Sequence, residues 1–151
     1  MNQINEVTAL ALAHKNRISY ISIALGVGMV LYLSWQPQPL MTADWFIPRW
    51  LAAWADENGN DTIRTGVPLV ALGLLKGIQL AWQRQPWRQW AWAWLGLSGM
   101  VVVAEIGQLF LVNRSFDVKD AGWGAAGALV GLGTAAGIKA FYARKLKPGN
   151  K

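Results

Sequence analysis

The sequence contains no cysteine and one histidine among 151 residues. Disulfides, thiolate nucleophiles and cysteine-ligated metals are thereby excluded, and His14 alone cannot assemble a histidine metal site. Charge is scarce as well: 15% of residues are charged, against about 25% in soluble domains. Charged side chains are absent from long stretches rather than thinly spread. What the chain has instead is 54% hydrophobic residues, 16 glycines and ten tryptophans. That balance points to a single all-α membrane domain over 1–151, because so little charge would solvate a water-exposed surface poorly.

A crossing helix needs roughly 20 mostly apolar residues. Four stretches qualify: 18–35, 65–82, 89–112 and 121–142. The N-terminal order, with Lys15 and Arg17 following a weakly apolar run, differs from that of a cleaved signal peptide. The first span is therefore expected to act as an uncleaved insertion signal.

Lysine and arginine placement orients the spans. The N-terminus, the 83–88 connection and the C-terminus hold eight bases: Lys15, Arg17, Arg84, Arg88, Arg144, Lys145, Lys147 and Lys151. The other two loops hold four, Arg49, Arg64, Arg114 and Lys119, offset by Asp44, Asp56, Glu57, Asp61, Asp117 and Asp120. Both termini are expected in the cytoplasm. Trp82, Trp87, Trp90 and Trp92 then mark the inner boundary and Trp35 and Trp123 the outer one, as interfacial belts require, with Trp94 slightly deeper. The net charge of +6 forms no aromatic-interleaved stripe, so no nucleic-acid partner is expected; membrane lipids are.

Between the first two spans, Trp45, Phe46, Trp50, Leu51 and Trp54 recur at helical spacing. An amphipathic helix is expected there, capped by Asp44, closed by Glu57-Asn58-Gly59 and lying on the outer surface. Segment 4–14 could lie similarly on the inner side.

Glu105 is the most informative polar residue. In a span ending at Val112 it sits about 10 Å below the outer boundary, where an ionisable side chain usually faces a bundle interior with a partner. Gln108 shares its helical face at i+3. Two readings stand: a hydrogen-bonded lock between helices, or a pocket open to the outer face. The following loop supplies Arg114, able to act as a bidentate clamp on Glu105 or the aspartates, and Asp117 and Asp120, of which at least one should cap the fourth span. Lys76, in the second span, is expected to snorkel inward past Gln79. In the fourth span Gly127/Gly131 and Gly133/Gly137 have the small-xxx-small spacing of close helix contact. Packing within the monomer is the first expectation and dimerisation the alternative. No metal site or phosphate-binding glycine loop is expected.

The run Glu105-Ile-Gly-Gln108 followed by Arg114-Ser-Phe-Asp117-Val-Lys-Asp120 and a glycine-rich helix resembles the VanZ-like family. That family carries E-x-x-Q at the end of a membrane helix, then R-x-x-D-x-x-D, then a small-residue helix. The resemblance covers about 40 residues closely, and the four-span layout extends it loosely. Gly124 stands where the family often has an asparagine. The resemblance implies a bacterial cytoplasmic-membrane protein of the cell envelope, in a family associated with glycopeptide (teicoplanin-type) resistance, with Glu105, Gln108, Arg114, Asp117 and Asp120 as its polar cluster. The function expected is non-catalytic binding of an extracytoplasmic ligand, a cell-wall or lipid-linked precursor, without a cofactor. The alternatives are a membrane enzyme with Glu105 or an aspartate as general acid/base, and a structural membrane subunit. Oligomeric state is left open.

Overall fold

The computed structural model describes residues 2–35, 40, 42, 45, 47–57, 61–111 and 116–145, side chains in 2–16, 18 and 61–64 excepted. These residues form five helices and no strand: α1 (Asn2–Ser34), α2 (Arg49–Ala55), α3 (Asp61–Trp82), α4 (Trp87–Gln108) and α5 (Val118–Lys145). Three stretches, Thr65–Trp82, Trp87–Gln108 and Val118–Lys145, are long and apolar enough to cross a membrane. The apolar part of α1, Ser19–Ser34, is shorter. Segment 4–14 does not form a separate surface helix, because α1 runs unbroken from Asn2 into the apolar stretch.

Large apolar side chains lie on the outside of the bundle: Leu25, Val103, Leu129 and Val130 are all more than half exposed. Helices apolar on all sides are the mark of a chain solvated by lipid. The interior is small and centred on Leu69 and Leu72 of α3, Leu97 and Val101 of α4, and Ala128 of α5.

The closest seam joins α3 to α5 and depends on missing side chains. A Cβ at Gly127 would run into the Gly66 carbonyl, one at Gly73 into the Ala128 carbonyl, and one at Gly131 into the Val70 carbonyl and Leu74 amide. Partners on α5 rise in number with those on α3, so the two helices run parallel. α4 runs against them: its Val101 meets Gly124, while Trp90 near its start meets Lys139. α1 lies beside α3 and α4, its Tyr20 level with Lys76 and its Trp35 level with Gly107.

Helix ends follow local chemistry. α3 closes with Arg84 N–H donating to the Ala81 carbonyl (3.2 Å) and Gln85 N–H to the Leu80 carbonyl (3.0 Å). These are the two bonds of a Schellman stop. Arg84 takes the left-handed position at φ 51°, where glycine is usual. α2 is shorter than expected and begins at Arg49 after Pro48, because a proline disfavours helical backbone in the residue before it. The N-cap position is Pro48; the expected cap, Asp44, lies outside the described residues. The inward face of α2 is Ala52 and Ala55; Trp50 is exposed, and Trp45, ahead of the helix, more so. Asp56 holds the preceding strand of chain in place by accepting the Thr42 N–H (2.9 Å).

Candidate functional site

Glu105 and Gln108 sit on one face of the last turn of α4, and both are buried, at 2% and 8% exposure. The Gln108 amide Nε2 donates to Glu105 Oε1 at 3.2 Å. The Asp117 N–H donates to Glu105 Oε2 at 3.2 Å, across twelve residues of chain. One carboxyl group thus ties the end of α4 to the start of α5.

α4, the third of the expected spans, is shorter at this end than hydropathy suggests. It stops at Gln108 rather than Val112, and Leu109, Phe110 and Leu111 continue as tight turns on the carbonyls of Ile106, Gly107 and Gln108. Leu109 and Phe110 are exposed. The apolar run carries on past the helix with its backbone N–H groups still satisfied by these turn bonds. Glu105 is therefore about 5 Å from the helix end, not about 10 Å.

Asp117 has a second task. Its Oδ1 accepts the Lys119 N–H at 2.8 Å, the N-cap bond that satisfies one of the free donors at a helix start. Asp120 lies in the first turn of α5 and is half-buried, where the positive end of the helix dipole favours a carboxylate. The cap expected of at least one aspartate is Asp117. Arg114 lies outside the described residues. The structure thus brings Glu105, Gln108 and Asp117 together, with Asp120 one helical turn further along.

Two neighbours of this corner give no polar signal in the sequence. The Trp35 indole Nε1 donates to the Ala104 carbonyl at 3.1 Å, passing over Gly107, where any Cβ would collide with the ring. Trp35 is therefore a hydrogen-bonded part of the corner as well as a boundary residue. Gly124 is buried with Val101 against it, leaving no room for a Cβ. Close α4–α5 packing thus fills this position. The clue in both cases was a glycine beside the polar run.

Lys76 belongs elsewhere. Its Nζ donates to Gln79 Oε1 at 3.0 Å and stands 5.3 Å from the Tyr20 ring centroid, away from Glu105. Gln79 Nε2 is buried without a hydrogen-bond partner. Among the described residues no group of three histidine, cysteine or acidic side chains is placed to hold a metal.

Both Glu105 oxygens accept hydrogen bonds from the protein, so this carboxyl fixes the start of α5 against the end of α4. No family model, curated protein or solved structure matches the chain.

Proposed function

We propose that this chain is a VanZ-like membrane protein of the bacterial cytoplasmic membrane, crossing it four times with both termini inside. It binds an anionic extracytoplasmic ligand, of the cell-wall or lipid-linked precursor class, at the α4–α5 corner. The single observation supporting the site is the bond from Asp117 to buried Glu105, which anchors the loop that carries Arg114. In this reading Arg114 contacts the anionic group, Glu105 and Gln108 hold the loop, and Asp117 and Asp120 set its exit into α5. Catalysis is not part of it.

The four-span layout draws support from the alternating helix directions: α1 runs beside α3 and α4 from the level of Lys76 to the level of Gly107. Outward tryptophans on and before α2 suit a helix lying in the outer headgroup region.

A structural-subunit reading has one observation in its favour, since both Glu105 oxygens are taken up within the protein. Function and abundance separate the two. Arg114→Ala should abolish binding of a polyprenyl pyrophosphate to the full-length protein in nanodiscs, while the protein stays folded and abundant. Glu105→Gln should weaken that binding. Undiminished binding in Arg114→Ala would remove the proposed role. Loss of folded protein in both variants would support packing alone. For the topology, a cysteine replacing Ser115 should react with an impermeant reagent from outside and one replacing Gln85 should not; the reverse pattern would invert the orientation.

A further inference from the structure

We propose that the end of the bundle opposite the Glu105 corner holds a groove for one anionic phospholipid, with Lys139 on its phosphate. This site is independent of the reading of the Glu105 corner.

The groove lies between the first turn of α4 and the last turns of α5. It encloses about 490 Å³ and is lined by Gln85, Trp87, Trp90, Ala136, Lys139 and Ala140, among others. Its size falls in the range of small-molecule sites, about 300–1,000 Å³. It exists because α5 outruns its packing: Ala135 is the last buried residue, and every residue from Ala136 to Lys145 is exposed. Alanines on one wall and indole rings on the other leave an apolar trough. In a membrane-spanning chain that trough opens toward lipid tails.

Charge selects the headgroup. Lys139 Nζ stands 5.8 Å from the Trp90 ring centroid, so the ring's π face holds the ammonium at the rim of the trough. Arg84, Arg88 and Arg144 lie toward the same end, and no acidic residue occurs in 62–104 or 121–151. Arg84 adds a further sign. It occupies the left-handed position of the α3 stop, a conformation that glycine adopts more easily, so a cation stands there, next to Gln85 of the groove wall. Basic pockets between membrane helices bind anionic lipid headgroups by this combination of a cation and an apolar wall.

The test uses full-length protein extracted from vesicles of equal parts phosphatidylglycerol and phosphatidylcholine, with retained lipids counted by native mass spectrometry. Wild type should retain one phosphatidylglycerol in preference to phosphatidylcholine. Lys139→Gln should lower that retention about fivefold, the effect of one near-surface cation. Ala136→Phe fills the trough without altering charge and should abolish retention, with Ala140→Leu as the substitute if it fails to fold. Lys145→Gln removes an equal charge from a side chain stacked on Phe141 and should stay near wild type. Arg84→Gly should raise the unfolding midpoint while lowering retention. Equal retention of the two lipids by wild type would overturn the proposal. So would equal losses in Lys139→Gln and Lys145→Gln, since diffuse attraction would then suffice. Unchanged retention in the trough-filling variant, or in Arg84→Gly, would overturn it as well.

Discussion

In the first half of α5, Gly127 and Gly131 lie against the backbone of α3; in the second, Gly133 and Gly137 have nothing within 4 Å of where a side chain would begin. The two pairs share a four-residue spacing and belong to one helix, yet only the first is used in packing. The buried stripe of α5 runs through Gly124, Gly127, Ala128, Gly131, Leu132 and Ala135. At about 100° per residue, Gly133 falls well off that stripe. α3 answers the stripe with Gly66, Gly73 and Gly77. Small-residue spacing makes close approach available, and a complementary neighbour on the matching face decides whether it occurs. Where the seam ends, α5 turns from a packing element into one wall of an open trough.

The largest expected effect tests that contrast directly. Gly131→Val should cost about 1–3 kcal/mol or more from overpacking, because its neighbours are backbone atoms of Val70 and Leu74 that cannot rotate away. Gly133→Val should be nearly neutral. Unfolding midpoints in detergent compare the two, and equal damage would break the distinction between the halves.

Next comes the α4–α5 corner that starts the packed half. Glu105→Ala leaves the buried Gln108 amide without its acceptor, at about 1–3 kcal/mol, and frees the part-buried Asp117 N–H. The 109–117 connection should then be cut faster by protease added from its own side, while the α3–α5 seam stays protected. An unchanged cleavage rate would show that the corner is held by other contacts.

The smallest effect belongs to the α4–α5 contact further along. Trp94 Nε1 donates to the Ala125 carbonyl at 3.0 Å, so Trp94→Phe should cost about 0.6 kcal/mol, the average for a hydrogen bond between membrane helices. A midpoint lowered as far as in Gly131→Val would make this bond, rather than the glycine seam, the main fastener of α5.

Much of this was legible along the chain. The apolar stretch 65–82 keeps its end at Trp82 in α3, and the aspartate cap lies where the following apolar helix begins. The same local cues failed where the deciding partner is distant. Leu109 to Leu111 extend the apolar run but not α4, since Glu105 bonds to Asp117 across the turn. Trp94 and Trp35 carry the composition of boundary anchors, and their indoles reach carbonyls on other helices. The tryptophans near α2 do share a spacing, but Pro48 delays the helix and its alanines take the inward face.

By itself the sequence determined that helices form, because backbone hydrogen bonds and desolvation act within consecutive residues; it pointed to four spans, and three of the helices are long and apolar enough to cross a membrane. It pointed also to a cap from at least one of Asp117 and Asp120, and the structure gives that role to Asp117. Tertiary structure alone decided which glycines are pressed against a neighbour, which indoles bond across helices, and that Glu105 is committed to holding a loop. Those outcomes depend on which faces meet, and no local pattern along one helix encodes the face of another.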